Sequence, residues 1–277
     1  MTSQKLIFDI GMHHAQDTGY FLGLGHKVVA VDADPQLIEN ATAKFEREIA
    51  EGQLTLVQRA IAEKAGQEVA FNVGEKDLWS SLIPEVAGRG DHSVSAVQVK
   101  TETLSRLVEQ FGRPHYIKID IEGYDNVAVR SLQSQAELPQ YISVESECVA
   151  EGQTLTEHEA LETLMSLKEL GYNRFKLVDQ QSLAVLTPER KFYTNLRYFG
   201  IELVNKFQLP IGARNRASNR FEYRFPFGAT GPFGDQLMGQ WVDFSTAKVM
   251  LLKHREDYFK LWRARDYGFW VDWHAGL

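Results

Sequence analysis

The sequence predicts an α/β fold in which helices cover both faces of a mostly parallel, twisted sheet. Strand-like and helix-like segments alternate over residues 1–180, which is typical of βαβ units. The first such unit has the order of a nucleotide-binding motif: strand, Asp-x-Gly turn, helix, strand, acid. Beyond residue 180 the alternation is lost and aromatic residues become frequent. We therefore predict a core over 1–180 and an aromatic-rich C-terminal extension over 181–277 that packs on the core or forms a lid.

The strands of this sheet are predicted from short runs rich in apolar and β-branched residues. They are Leu6–Ile10, Lys27–Val31, Leu54–Gln58, Val69–Asn72, Tyr116–Asp120, Tyr141–Glu145 and Arg174–Val178.

The helix that begins at Pro35 has the clearest sequence signals. Asp34 can cap its free amides, and proline suits the first helical position. We also predict helices over about 156–170, ended by Gly171, and over about 245–265. The helix that begins at Pro35 should have one buried face, because apolar residues recur there at every fourth position: Leu37, Ala41, Phe45 and Ile49.

Composition excludes several classes of protein. The chain has 277 residues, of which 44% are hydrophobic and 24% charged, as expected of a soluble globular protein. A net charge of -7 argues against binding of nucleic acid, which is itself negatively charged. The absence of a long apolar run predicts no membrane span. The single cysteine, Cys148, forms no internal disulfide and is interpreted as a small buried residue. With no signal-peptide pattern at the N-terminus, we expect a cytoplasmic protein of undetermined oligomeric state.

The first βαβ unit indicates which cofactor the chain binds. Its Asp-x-Gly turn, formed by Asp9 and Gly11, presents a carboxylate and bare backbone to the crevice where α/β sheets bind ligands. A dinucleotide site normally has three glycines, whereas this loop has one. Asp9 is a poor neighbour for a diphosphate and a good partner for an ammonium group, which favours S-adenosylmethionine over NAD. Asp32 ends the second strand and can accept hydrogen bonds from both ribose hydroxyls.

A second group of charged residues lies in the run from Lys118 to Gly123. On a strand, Lys118, Asp120 and Glu122 would share one face. Charged side chains on a central strand need a specific reason, and a cluster at the cofactor and acceptor supplies one. The alternative is a buried lysine–carboxylate ion pair that only holds the end of the strand.

These two groups of residues resemble the FkbM family of S-adenosylmethionine-dependent methyltransferases, which have the class I methyltransferase fold. The second group matches the family's KIDIEG block, and the resemblance extends over residues 5–180, with supporting matches at 31–35, 79–81 and 142–145. The family's first loop reads Asp-x-Gly-x-Asn/His-x-Gly-x-x-Thr, and the matching residues here are Asp9, Gly11, His13, Ala15 and Thr18.

The resemblance implies a set of site residues. Ala15 replaces a family glycine, and we expect its methyl group to be tolerated on a backbone of negative φ. Ala60 follows the third strand, where the fold contacts adenine, although a plain turn alanine is an equal alternative. The implied cofactor-binding residues are Asp9, Gly11, His13, Thr18, Asp32, Ala60 and Asp120.

The family also implies the reaction, which is O-methylation of a sugar, a polyketide or another small metabolite. A hydroxyl acceptor loses its proton as the new bond forms, so a general base is required. The candidate bases are Asp120, Glu122 and Glu145, followed by His13 and His14, with a binding role preferred for His13. The three acids could also hold Mg²⁺, but no spacing fixes a ligand geometry and we predict no metal. The partner is therefore a small-molecule or glycan acceptor.

Two other functions stay open, and so do the roles of two other segments. An NAD-dependent oxidoreductase would share the βαβ unit but needs a fuller glycine loop. A catalytically inactive cofactor-binding module would explain Ala15. The segment 79–81 either reaches toward the acceptor or forms a turn, and the basic run 214–220 either holds an anionic acceptor or is a solvated loop.

Overall fold

The structure is a computed structural model that describes residues 4–74, 81–82, 94–147, 155–207, 223–226, 228–262, 264 and 269–277. The chain forms two compact units, Met1–Gln140 and Tyr141–Leu277. Cys148, the first two residues of the 79–81 segment and the basic run 214–220 lie outside the described residues.

The first unit is built on a parallel sheet with the strand order β7-β1-β2-β3. β1 and β3 match the prediction at both ends, and β2 and β7 match it to within one residue. The strands are β1 (Leu6–Ile10), β2 (Lys27–Asp32), β3 (Leu54–Gln58) and β7 (Tyr116–Ile119). The helices are α1 (Gln16–Gly23), α2 (Pro35–Lys44), α3 (Glu46–Ala50), α4 (Leu104–Phe111) and α5 (Asp125–Ser131).

The strand order creates a crevice between β1 and β7. The chain steps from β1 to β2 to β3 in one direction and then returns to the other side of β1 for β7. Right-handed crossovers place the helices of the two directions on opposite faces of the sheet. This reversal is a topological switch point, where open α/β sheets bind their ligands outside the carboxyl ends of the strands.

A smaller sheet in the first unit has the order β4-β6-β5. Its strands are β4 (Ala60–Ile61), β5 (Glu68–Gly74) and β6 (Val94–Glu102). The sequence predicts only part of β5 and misses the other two. Strand β6 alternates, with Val99 and Thr101 buried and Gln98 and Lys100 exposed, so it has the pattern of a half-exposed strand that the prediction missed.

The second unit contains antiparallel strands in the order β10-β9-β11-β8. Strand β11 lies between β8 and β9 and runs antiparallel to both. The strands are β8 (Tyr141–Glu145), β9 (Arg174–Asp179), β10 (Ala184–Val185) and β11 (Val271–Gly276), and the helices are α6 (Glu162–Leu170), α7 (Asn195–Lys206) and α8 (Phe244–Phe259).

Strand β11 is not predicted by the sequence. Its apolar residues Val271, Trp273 and Ala275 alternate with Asp272, His274 and Gly276, which is typical of a half-exposed strand, yet all six residues are buried. The last residues of the predicted extension therefore pair with β8 and β9, although the boundary at residue 180 itself stays a prediction.

All three predicted helices are shorter than expected, and the one predicted over 245–265 is α8, which ends at Phe259. Asp34 does cap α2, because its Oδ1 accepts the Gln36 amide at 2.8 Å. However, Phe45 leaves the helical region with φ -119°, so the predicted single helix through Ile49 divides into α2 and α3. Helix α6 begins at Glu162, and Gly171 ends it with φ +113° as predicted.

The architecture confirms the predicted class: a Rossmann-like, mostly parallel sheet with helices. In the part of the chain that the structure describes, every helix is too short or too polar to cross a bilayer.

Candidate active site

Gly11 brings the loop after β1 into direct contact with the end of β7. The Gly11 and Met12 amides donate to the Val31 carbonyl at 2.9 and 3.0 Å, and the Asp120 amide donates to Ile10 at 3.0 Å. Gly11 has φ +74°, and a Cβ at this position would lie 1.8 Å from the Asp120 carbonyl oxygen. The loop therefore needs a glycine here for both its conformation and its close approach.

Lys118 is the centre of a buried charge cluster below this loop. Its Nζ donates to the Gly11 carbonyl at 2.6 Å and lies 3.4 Å from Asp9 and 3.7 Å from Asp120. Burial disfavours the charge, but Asp9 and Asp120 outweigh it and hold the pKa of Lys118 above its ordinary value. The lysine–carboxylate pair considered from the sequence is thus present, and it also fixes the cofactor loop.

Asp9 and Thr18 form a buried pair beside Lys118. Both residues are fully buried, and the Thr18 hydroxyl donates to Asp9 Oδ2 at 2.6 Å. The described partners of Asp9 are therefore Thr18 and Lys118, and direct cofactor binding by Asp9 and Thr18 stays a prediction.

Asp32 links the end of β2 to the first loop. Its Oδ2 accepts the His13 amide and its Oδ1 accepts the Asp34 amide, both at 2.9 Å. Burial raises the pKa of Asp32 to about 6, although these two backbone donors oppose the shift. Each carboxylate oxygen keeps a second lone pair, so the group can still accept hydrogen bonds from a ligand.

The first loop is left-handed at two non-glycine residues, His13 with φ +51° and Ala15 with φ +56°. The expectation of a negative φ at Ala15 is wrong. A left-handed alanine costs roughly 1–2 kcal/mol. Burial of its methyl group, which is 1% exposed, offsets about 0.8 kcal/mol of that cost. The loop thus keeps the conformation that a glycine would adopt without strain.

The end of β7 differs from the expected strand. The strand stops at Ile119, and Glu122 lies in the following turn with φ +49°. Glu122 therefore does not continue the strand face of Lys118, because a left-handed residue breaks the alternation of side chains. The Ser81 hydroxyl donates to the Glu122 carbonyl at 2.7 Å, so Ser81 supports this turn.

Asp125, which sequence reasoning missed, also supports the turn. Its Oδ1 accepts the Ile121 amide and its Oδ2 accepts the Gly123 amide, both at 3.1 Å. Burial, and then the charge of Asp120, raise the pKa of Asp125 to about 6. An aspartate at a helix start just after a glycine turn is the signal that could have identified it.

Ala60 and Glu145 are the remaining predicted site residues. Ala60 is in β4 and packs in an apolar cluster with Ala33, Phe71 and Val99, so its adenine contact stays a prediction. Glu145 belongs to the second unit, where it ends β8, is half-buried and faces Asp272 across the sheet. Its catalytic role also stays a prediction.

The cluster at the switch point is suited to a nucleoside that carries a positive charge. Asp32 and Asp120 supply carboxylates at the loop, and Asp120 is half-buried. The Lys118 charge is already engaged by the Gly11 carbonyl, Asp9 and Asp120, so it does not form a phosphate cradle. This set of carboxylates fits an amino-acid-bearing nucleoside better than a diphosphate.

Comparisons with known proteins agree with this chemistry. The family described as the methyltransferase FkbM domain matches residues 9–174, which is more than half of the chain. No curated protein matches the chain.

The solved structures that match do so at low identity. A methyltransferase FkbM from Methylobacillus flagellatus KT is 14% identical with a TM-score of 0.39, over 63% of this chain and 40% of that chain. A SAM dependent methyltransferase from Archaeoglobus fulgidus is 11% identical with a TM-score of 0.39, over 99% and 87%. A precorrin-6y C5,15-methyltransferase from Geobacter metallireducens GS-15 is 12% identical with a TM-score of 0.34, over 63% and 68%. This chain thus spans less than half the length of the Methylobacillus protein.

The family match includes the Asp9–Gly11 turn, Asp32, the turn after β7 and β8. The chain belongs to the FkbM family of methyltransferases, which use S-adenosylmethionine as the methyl donor.

Proposed function

We propose that this protein transfers a methyl group from S-adenosylmethionine to a hydroxyl group of a small molecule or glycan. The observation that carries the proposal is the contact between Gly11 and Asp120, which brings a half-buried carboxylate to the edge of the cofactor loop. The family match favours methyl transfer over the oxidoreductase alternative. The left-handed backbone of Ala15, a conformation that glycine adopts readily, supports a functional loop over an inactive module.

The residues of the first loop would hold the donor. Asp32 would accept hydrogen bonds from the ribose hydroxyls, and Gly11 would let the backbone approach the ligand. When bound, S-adenosylmethionine supplies a methyl group that its sulfonium makes electrophilic. Asp120 would accept the hydroxyl proton of the acceptor as the new bond forms, with Glu122 and Glu145 as the other candidate bases.

Product analysis tests the reaction. We expect isotope-labelled S-adenosylmethionine to give a methyl ether in a pool of hydroxylated metabolites and oligosaccharides, detected by mass spectrometry. Asp120→Asn should slow transfer by about a hundredfold or more while S-adenosylhomocysteine still binds. The rates of methyl transfer by the matched variants Glu122→Gln and Glu145→Gln measure how much the other two candidate bases contribute. Methylation of amines alone would overturn the hydroxyl acceptor, and an unimpaired Asp120→Asn enzyme would overturn its role as the base.

The pKa of Asp32 predicts how cofactor affinity depends on pH. The ionised carboxylate accepts ribose hydrogen bonds best, and the pKa of this group is about 6 in the free protein. Affinity for S-adenosylhomocysteine should therefore be lost as the pH falls through 6, to about tenfold weaker at pH 5 than at pH 7. Calorimetric titration across this range measures the effect.

Asp32→Asn is the control for this titration. The variant should bind more weakly at pH 7 and show a flatter pH profile. The difference between the two profiles isolates Asp32, because Asp125 titrates in the same range and is present in both proteins. Identical pH profiles would show that Asp32 is not the ribose acid.

We also propose that the reaction takes place in the cytoplasm. The single cysteine supports a reducing compartment, because this sequence forms no internal disulfide.

A further inference from the structure

The turn after β7 holds Glu122 in a conformation that a glutamate rarely adopts. Its φ of +49° lies in the left-handed region, where a residue with a Cβ costs free energy that the surrounding structure must offset. Residues held in this way cluster at active sites, and the same turn follows Asp120, the proposed base. The contacts that impose this conformation are therefore candidates for a part in the reaction.

Ser81 makes one of these contacts. Its side chain is fully buried, and its hydroxyl donates to the Glu122 carbonyl at 2.7 Å, across 41 positions of sequence. The direction of this carbonyl is set by the ψ angle of Glu122, so the hydrogen bond restrains the strained residue itself. Asp125 restrains the turn on either side of Glu122, because its carboxylate accepts the Ile121 and Gly123 amides.

Ser81 is itself anchored to the smaller sheet of the first unit. Its amide donates to the Asn72 carbonyl and its carbonyl accepts the Asn72 amide, both at 2.9 Å. The Asn72 side-chain amide donates to the same Ser81 carbonyl at 3.2 Å. The next residue, Leu82, packs against the apolar cluster that contains Ala60. The Ser81 hydroxyl is therefore presented to the turn from a fixed position beside β5.

This turn brings two carboxylates together. Asp120 and Glu122 are both half-buried, and a carboxylate oxygen of one lies within 4.8 Å of a carboxylate oxygen of the other. Two negative charges at this distance repel each other, and uptake of one proton relieves the repulsion. Lys118, whose Nζ lies 3.7 Å from Asp120, attracts the Asp120 charge and opposes proton uptake. The position of Glu122 therefore affects how readily Asp120 can take the proton of an acceptor hydroxyl.

We propose that Ser81 is a positioning residue for methyl transfer, because its hydrogen bond keeps the Glu122 carboxylate beside Asp120. The inference rests on the proposed function, in which Asp120 accepts the proton of the acceptor hydroxyl. Ser81, the last residue of the segment 79–81, then acts on the reaction without touching the cofactor or the acceptor. Glu122 in turn supplies a neighbouring charge to the base and does not take the proton itself.

The kinetics of Ser81→Ala in the full chain test this role. We expect kcat to fall by about tenfold or more, because the turn loses the bond that positions its carboxylates. Affinity for S-adenosylhomocysteine should change by no more than about threefold, since Asp32 keeps its partners in the first loop. Ser131→Ala is the matched control: the Ser131 hydroxyl also donates to a backbone carbonyl, that of Ala128 at 2.8 Å, and this variant should keep its kcat.

A double variant shows whether Ser81 acts through Glu122. If it does, Ser81→Ala should slow a Glu122→Gln enzyme by less than about twofold, because the charge that Ser81 positions is already absent. A merely structural role would slow the unchanged protein and the Glu122→Gln enzyme by the same factor.

The inference and the proposed function fail in different ways. An unchanged kcat in Ser81→Ala, or equal slowing of the two enzymes, would overturn the inference and leave the proposed function standing. A lack of methyl transfer by the unchanged protein would contradict the proposed function instead. Hydrogen exchange of the Ile121 and Gly123 amides measures the hold on the turn without any reaction. Exchange should be about fivefold faster in Ser81→Ala but not in Ser131→Ala, and equal rates in Ser81→Ala and the unchanged protein would show that Ser81 does not hold the turn.

Discussion

Gly11→Ala should destabilise the fold by about 3 kcal/mol or more and weaken S-adenosylhomocysteine binding by about a hundredfold. The added Cβ would lie 1.8 Å from the Asp120 carbonyl oxygen, which is backbone and cannot rotate away as a side chain would. Relief requires separating the loop after β1 from the end of β7, and this contact forms the floor of the candidate site. Urea unfolding and calorimetric titration measure the two effects.

Gly52→Ala is the control for this substitution. Gly52 has φ +69°, close to the φ +74° of Gly11, but a Cβ there would meet nothing within 4 Å. Gly52→Ala should lower the free energy of unfolding by only about 1 kcal/mol, because alanine is strained on a left-handed backbone, and it should leave cofactor affinity unchanged. If the two variants lose equal stability, the close approach of the two loops is not a constraint on the fold.

Lys118→Met should cost about 3–5 kcal/mol of stability, because it leaves the Asp9 carboxylate buried without its cation. Lys118 is 3% exposed, and it also donates to the Gly11 carbonyl at 2.6 Å. The substitution therefore removes the charge partner of Asp9 and a bond that holds the cofactor loop. We expect the free energy of unfolding and the affinity for S-adenosylhomocysteine to fall together.

A double variant separates these two contributions. Asp9→Asn/Lys118→Met removes both buried charges, while the asparagine oxygen can still accept the Thr18 hydroxyl that Asp9 accepts at 2.6 Å. It should recover more than half of the lost stability but not the cofactor affinity. Lys27→Met, at an exposed strand lysine, should change stability by at most about 0.5 kcal/mol. A double variant as unstable as Lys118→Met would show that the buried Asp9 charge is not the cause.

The sequence predicts strands from short runs rich in apolar and β-branched residues. β1, β3 and β8 match at both ends, although β1 and β8 are mostly buried and β3 is not. The prediction misses β6 and β11, in which apolar and polar residues alternate over a short run. Such a short alternation is identified as a strand by its pairing, and the partners of β11 lie far away in the sequence.

The candidate site also contains some features that the sequence predicts and others that it does not. The Asp9–Gly11 turn, Asp32 and the block from Lys118 to Gly123 are recognisable because each is a local motif, and the first two occupy the positions expected of them. The left-handed turns at Ala15 and Glu122 were not expected, because backbone conformation in a loop depends on what packs around it.

By itself, the sequence determined the α/β class, most strands of the parallel sheet and membership of a methyltransferase family. Only the tertiary structure decided which groups meet. The bond from Lys118 to Gly11 joins residues 107 positions apart, and the carbonyl that requires Gly11 to be a glycine belongs to Asp120. The physical reason is common to both: hydrophobic patterning is encoded over a few residues, whereas the partners of a polar side chain or a tight turn are set by packing between distant segments.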